Sequence, residues 1–177
     1  LALNAASSGS STTRFVQLLI STGAATVSGN ITSQGTASQI VFSGAGTLNA
    51  GGTFMSGTQG TFTPSTGTVN FNANGPQTVA PFAYTFNNLK LSGSGTKSLG
   101  GNRTASTLTI DTTDSTLTLA SNTLTLSSGG LTRTAGSAGT QTISSNITLG
   151  VNATWNVQGS GSLTVSGVVD DGGTTRT

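Results

Sequence analysis

Side chains able to perform acid–base catalysis are scarce in this sequence. It has no His, and its four acids are Asp111, Asp114, Asp170 and Asp171. Asp111 and Asp114 lie close together in Asp-Thr-Thr-Asp, and such a pair can act as acid and base on a polysaccharide or bind Ca²⁺. However, no further carboxylate lies nearby in sequence, and short Asp side chains also stabilise turns by accepting backbone hydrogen bonds. We therefore expect turns at both Asp pairs, no catalytic residue, no metal site and no cofactor.

The second candidate chemistry is surface binding by the threonines that flank recurring apolar residues, as in Thr107-Leu108-Thr109. If these segments are strands, the flanking side chains share one outer surface. A flat array of this kind can bind ice or carbohydrate, because methyl and hydroxyl groups together order water. The alternative is that the β-branched Thr is simply favoured in strands. The candidate residues of this face are Thr107, Thr109, Thr123, Thr125, Thr148 and Thr164.

Two aromatic side chains, Tyr84 and Trp155, are candidate stacking platforms for a sugar. Trp155 alternates with Val157, however, and an alternating apolar pair in a strand points to the same side. We therefore expect Trp155 to pack in the core.

The composition excludes several classes of partner. Only 6% of residues are charged, the net charge is +2, and the six basic residues are scattered without a run, so no nucleic-acid partner is expected. No stretch is long and apolar enough to span a membrane as a helix. The abundance of Thr, Ser, Asn and Gly, with few Lys and no Glu, is typical of bacterial surface proteins, and we expect an extracellular or cell-surface location. The absence of Cys fits this location as well as any other.

One short phrase of alternating polar and apolar residues recurs along the chain, as in Asn88-Leu89-Lys90-Leu91 and Thr123-Leu124-Thr125-Leu126. Its first apolar residue returns every 16 to 23 residues, at Val27, Leu48, Val69, Leu89, Leu108, Leu124, Ile147 and Leu163. Each phrase predicts a half-buried strand, and the Gly- and Asn-rich segments behind the phrases predict corners. A unit this short cannot bury its apolar face alone, but stacked units can.

We therefore predict an all-β fold, a right-handed parallel β-helix of about eight coils with roughly 20 residues per coil. The alternative is a β-sandwich of hairpins. In the β-helix, the first apolar residues of the phrases would stack in one inner column. A second inner column would contain Ala50, Phe71, Leu91, Ile110, Leu126, Leu149 and Val165.

The ends of the chain are predicted to differ from its middle. Residues 1–22 are expected to form a polar leader followed by an N-terminal cap or docking strand, residues 23–169 the coils, and residues 170–177 a polar turn or a truncated continuation. The densest apolar stretch contains Phe15, Val16, Leu18, Leu19 and Ile20. It is expected to be a cap or an early coil, or alternatively a strand that docks on a neighbouring subunit.

Two segments, Gly67–Asn102 and Leu117–Thr134, resemble the repeats of bacterial surface proteins that form right-handed parallel β-helices. These include filamentous-haemagglutinin-like and autotransporter-like adhesins and large exported repeat proteins of the Bacteroidetes. The resemblance rests on Phe86-Asn87-Asn88-Leu89 and the Leu-Thr-Leu phrases, and it brings no catalytic motif. It implies the handedness of the coil and a role in adhesion, as a stalk or as a scaffold.

From these observations we expect a non-catalytic extracellular rod that serves as a stalk, a filament subunit or an adhesive segment. Its partners would be further copies joined end to end, or adjacent segments of a longer chain, with surface carbohydrate as a further partner. A carbohydrate- or ice-binding module is the alternative, and a polysaccharide-active enzyme is a second, disfavoured alternative.

Overall fold

The computed structural model describes residues 1–3, 16–113 and 116–175, and the regular structure within these ranges is β-strand without helix. The first ten strands are β1 (Ala2–Leu3), β2 (Val16–Ile20), β3 (Ala24–Val27), β4 (Thr32–Gln34), β5 (Ser38–Phe42), β6 (Thr47–Ala50), β7 (Ser56–Thr58), β8 (Thr61–Thr63), β9 (Thr68–Phe71) and β10 (Gln77–Val79). The next six are β11 (Thr85–Leu91), β12 (Gly95–Leu99), β13 (Arg103–Ile110), β14 (Leu117–Ala120), β15 (Thr123–Leu126) and β16 (Leu131–Arg133). The last five are β17 (Thr140–Ile143), β18 (Asn146–Leu149), β19 (Trp155–Val157), β20 (Ser162–Val165) and β21 (Val169–Asp170).

The described strands pair in parallel and form a β-solenoid of about 7 turns with roughly 22 residues per turn. This confirms the predicted stack of coils, with slightly longer and fewer coils than expected. It excludes the sandwich of hairpins, because a hairpin joins neighbouring strands antiparallel.

The strands form four sheets. The longest has ten strands. Eight of them lie on its main path, in the order β21-β18-β15-β13-β11-β9-β6-β3, and β16 and β19 are attached through β13. A five-stranded sheet has the order β10-β12-β14-β17-β20. Two three-stranded sheets, β1-β4-β7 and β2-β5-β8, complete the N-terminal coils.

The strand β13 links two stretches of the ten-stranded sheet. Its residues 103–105 pair with β15, whereas its residues 108–110 pair with β16. Between them the alternation of buried and outward side chains slips by one residue, at Ser106 and Thr107. The same slip occurs one coil earlier in β11, at Asn87 and Asn88. In both coils, the alternation that decides which residues face the interior therefore shifts by one position at this point.

The inner column observed in the structure differs in part from the predicted one. Leu48, Val69, Leu89 and Leu108 stack as expected, and the column continues through Leu131 to Trp155. At its beginning Ala25 takes the place predicted for Val27, which instead precedes Ala50 in the second column.

The residues predicted to follow Leu108 lie elsewhere: Leu124 pairs with Arg103, Ile147 continues from Leu124, and Leu163 pairs with Gln141 in the five-stranded sheet.

The error has a physical reason. After residue 110, the Thr-Leu phrase occurs twice within one coil, once in β14 and once in β15. Only Ser121 and Asn122 separate these two strands, and both have positive φ, 67° and 55°. Asn tolerates the left-handed region, so two residues suffice for this corner. The second inner column is affected in the same way, because Ile110 is followed by Arg133 rather than Leu126.

Aromatic rings fill the interior of the N-terminal half. Phe54 is fully buried, and its ring lies 5.1 Å from that of Phe62 and 5.6 Å from that of Tyr84, both edge to face. Such pairs add about 0.5–1.5 kcal/mol beyond the burial of their area. Further along the rod the interior is built mainly from leucine and isoleucine.

Candidate functional site

The six threonines predicted to form one binding face lie in three places. On β13, Thr107 lies at the slip in alternation and Thr109 lies beyond it. Thr123, Thr125 and Thr148 lie on the other stretch of the ten-stranded sheet, where Thr125 is flanked by Thr104 and Thr148. The sixth, Thr164, belongs to the five-stranded sheet. The six threonines therefore do not form one continuous face, because the strands beyond β13 pair in a different register from the one predicted.

The five-stranded sheet carries an outward column of threonine alone. One residue from each of four successive coils contributes to it, namely Thr96, Thr118, Thr142 and Thr164. Of the predicted candidates, only Thr164 belongs to this column. The other three were not assigned to an outer face from the sequence.

Asparagine side chains connect the coils on the outer surface of the ten-stranded sheet. Nδ2 of Asn49 donates to Oγ1 of Thr26 at 3.2 Å, and Nδ2 of Asn70 donates to Oδ1 of Asn49 at 2.9 Å. The hydroxyl of Ser92 then donates to Oδ1 of Asn70 at 2.8 Å. This ladder runs along the rod axis and reinforces the backbone pairing.

The predicted docking strand is part of the first coil. Residues 16–20 form β2, which pairs in parallel with β5. Ile20 is buried, Val16 and Leu18 are half-buried against the core, and Leu19 points outward and is 58% exposed. Phe15 lies outside the described residues. Strand pairing thus exists on both sides of the boundary expected between residues 22 and 23. Among the described residues, β2 is an edge strand that pairs on one side only.

The aspartates take part in surface pairing and turns. Oδ2 of Asp111 lies 2.5 Å from Nζ of Lys90, and Thr134 donates to its other oxygen at 2.6 Å. The hydrogen bond from Lys90 is the main reason that the pKa of Asp111 lies below its ordinary value. Asp170 and Asp171 accept hydrogen bonds from the backbone of Gly172 and Gly173, which is the turn chemistry expected there. Asp114 lies outside the described residues.

The two candidate aromatic platforms are oriented for packing. Tyr84 is only 6% exposed, and its hydroxyl accepts a hydrogen bond from the backbone nitrogen of Gly60 at 3.1 Å. Burial raises the pKa of this phenol. Trp155 is half-buried against the core at the end of the inner column, whereas Val157, which was expected to share its side, is 51% exposed.

Basic and amide side chains inside the solenoid bind the corners of neighbouring coils. Gln77 and Lys97 stack in register on successive coils. Nε2 of Gln77 donates to the carbonyl oxygens of Ala50 at 2.6 Å and Gly52 at 2.8 Å. Nζ of Lys97 donates to the carbonyl oxygen of Ala73 at 2.6 Å and contacts that of Gly75 at 3.4 Å. Lys97 is fully buried, and this burial lowers its pKa to about 8.

Two arginines perform the same task at other corners. Nε and Nη2 of Arg103 both donate to the carbonyl oxygen of Ala80, at 3.1 and 2.5 Å. Arg133 donates to the side chain of Gln141 and to the carbonyl oxygens of Ser137 and Gln158. A buried cation is costly unless hydrogen bonds compensate it, and here corner carbonyls provide them.

Sequence analysis missed these interior cations, although a signal was present. Lys97 lies two residues before Leu99, and Arg133 lies two residues after Leu131. Residues two apart in a strand point to the same side, so both cations are expected to point inward with these leucines.

A polar cleft lies over the corner that leads into the five-stranded sheet. Its volume is about 380 Å³, and it is lined by Asn30, Gly51, Gly52, Thr53, Pro76, Gln77, Thr78 and Ser98. The lining consists of hydroxyls, amides, bare backbone and the ring of Pro76, without a charged or aromatic side chain. None of these residues was assigned to a ligand-binding site from the sequence.

Within residues 1–3, 16–113 and 116–175, no group of three or more His, Cys, Asp or Glu side chains could hold a metal ion. The same residues include no helix with the length and apolar character that a bilayer crossing needs. Comparison of the chain with protein-family models finds no match, and comparison with curated proteins and with solved structures finds no significant similarity.

Proposed function

We propose that this chain is a non-catalytic extracellular structural protein, a β-solenoid rod that serves as a stalk, a filament subunit or an adhesive segment of a bacterial surface. The observation that carries the proposal is the continuous parallel pairing along the rod, in which the strands β2 and β21 each have one side that pairs with no other described strand. About seven coils at roughly 4.8 Å per coil give a rod about 34 Å long.

The contacts between coils suit a mechanical role. Backbone hydrogen bonds run along the rod axis, so a pulling force along that axis loads many of them together. The asparagine ladder and the interior Lys97 and Arg133 contacts add further bonds between coils. This cohesion needs no disulfide, and the sequence has no Cys.

Apolar side chains are exposed near both ends of the rod. Leu19 on the edge strand β2 is 58% exposed, and Val168 and Val169 at the other end are 64% and 46% exposed. Because the strands are parallel, a second copy can continue the sheets only when the β2 end of one molecule meets the β21 end of another. A contact between two different surfaces does not close on itself, so repeated contacts produce a filament.

The test is negative-stain electron microscopy and sedimentation over a range of protein concentrations. The wild type should form rods that lengthen with concentration. Val169→Lys places a charge at the unpaired end and should leave single short particles. Thr132→Lys, which adds the same charge on the outer side of β16, should assemble like the wild type. A wild type that stays monomeric at every concentration, or a Val169→Lys variant that assembles normally, would refute the filament form of the proposal.

A further inference from the structure

The cleft beside the five-stranded sheet extends along the rod. Asn30 and Thr53 lie on neighbouring coils, because Oδ1 of Asn30 accepts a hydrogen bond from the backbone nitrogen of Thr53 at 2.9 Å. On the following two coils, Thr78 and Ser98 face outward and lie in register. The lining thus spans four successive coils, a length of about 14 Å at the usual spacing of paired strands. An extended ligand would therefore lie parallel to the rod axis.

Four side-chain donors of this lining make no hydrogen bond to another described residue. The hydroxyls of Thr53, Thr78 and Ser98 donate to no group among the described residues, and neither does Nδ2 of Asn30. Elsewhere in the rod, hydroxyls such as that of Ser145, which donates to the carbonyl oxygen of Ser121 at 2.8 Å, are engaged in corners. The cleft therefore combines three free hydroxyls and a free amide group at one place.

The floor of the cleft is held rigidly. Gln77 is buried, its Nε2 binds the carbonyl oxygens of Ala50 and Gly52, and its Oε1 accepts from the backbone nitrogen of Ala73 at 3.2 Å. The wall of the cleft at Gly52 has no side chain for a steric reason, since a Cβ there would lie 2.5 Å from Oδ1 of Asn30. A site that is fixed before binding loses less entropy when a ligand is ordered in it.

We propose that this cleft binds a short neutral oligosaccharide. Hydroxyls and amides both donate and accept, which matches a ligand made of sugar hydroxyls, and the absence of charge from the lining disfavours an ionic ligand. The volume of about 380 Å³ lies within the usual range of small-molecule sites, about 300–1,000 Å³. This proposal names a ligand for the adhesive role in the proposed function and rests on that role. Filament formation is measured separately.

The experiment is calorimetric titration of the full chain with neutral cello-, xylo-, laminari- and chito-oligosaccharides, together with one anionic oligosaccharide, oligogalacturonate. At least one neutral series should bind, and Thr78→Val combined with Ser98→Ala should weaken that binding about ten-fold or more through the loss of two hydroxyls. Both substitutions keep the shape of the outer surface, and the next strand already has Ala120 in register with Ser98.

The matched control is Thr142→Val, which removes a hydroxyl from the same sheet away from the cleft and should leave binding unchanged. Three outcomes would overturn the proposal: no neutral series binds at millimolar concentration, the oligogalacturonate binds better than every neutral series, or the control variant loses binding as much as the double variant. Rods that assemble but bind no sugar would refute the cleft proposal alone, whereas a sugar-binding chain that does not assemble would refute only the filament.

Discussion

Lys97 places an ammonium group inside the solenoid with backbone carbonyl oxygens as its partners. Gln77 occupies the equivalent position one coil earlier and makes the same kind of contact to the preceding corner. The position therefore needs a hydrogen-bond donor rather than a charge. Burial of the charge, without a carboxylate to offset it, lowers the pKa of Lys97 from 10.5 to about 8.

We expect the free energy of unfolding to rise with pH above about 8. Between about 8 and 10.5 the unfolded chain holds a proton on Lys97 that the folded chain has released, so increasing pH favours the folded state by up to about 1.4 kcal/mol per pH unit. Below pH 8 both the folded and the unfolded chain carry the proton on Lys97, so the contribution of Lys97 to the free energy of unfolding no longer changes with pH. Denaturant unfolding at a series of pH values up to about 10 measures this, because the raised pKa of Tyr84 acts in the opposite direction only above that range.

The control for this prediction compares two lysines. Lys97→Gln should remove the rise and keep the corner contacts, as Gln77 does. Lys90→Gln, at the surface pair with Asp111, should leave the rise intact. A rise that persists in Lys97→Gln would show that another group causes it.

At the scale of the strand, stability should depend on the inner column. Leu108 is fully buried between Leu89 and Leu131 on neighbouring coils. Leu108→Ala should cost about 2–5 kcal/mol, because it leaves a cavity in the stack. Thr109→Ala, next to it but outward, should cost less than about 1 kcal/mol. Equal losses in the two variants, measured by denaturant unfolding, would contradict the assigned inward and outward sides.

The strands and their parallel stacking could be predicted because one alternating phrase returned at a nearly constant interval. The register beyond Ile110 could not, since the phrase then appears on two strands of the same coil and spacing alone does not say which copy continues the column. The interior positions of Lys97 and Arg133 could not be predicted because both residues are charged. Each alternates with an inward leucine, but a charged residue in a polar chain is ordinarily assigned to the surface. The cleft was hidden because Asn30, Thr53 and Ser98 are far apart in sequence and meet only when four coils are stacked.

At the scale of the whole molecule, the rod is a set of similar coils, each supported by its neighbours. Because each coil is supported by its neighbours, the proposed end-to-end contact would cover the sides of β2 and β21 that pair with no other described strand. The same repetition creates the cleft, since its lining comes from four coils and no single coil contains it. The proposed stalk and the proposed sugar site therefore both depend on the assigned coil register.

Engineered disulfides test that register most directly, because the natural sequence contains no Cys that could compete. In the structure, Thr109 and Thr132 are paired on adjacent strands, and directly paired residues lie about 4.8 Å apart, within the Cα–Cα range of about 4.4–6.8 Å for a disulfide. Thr109→Cys with Thr132→Cys should form an intramolecular disulfide on mild oxidation, detected by mass spectrometry of the digested protein, whereas Thr109→Cys with Thr125→Cys should not. Cross-linking of the second pair instead of the first would contradict the coil assignment.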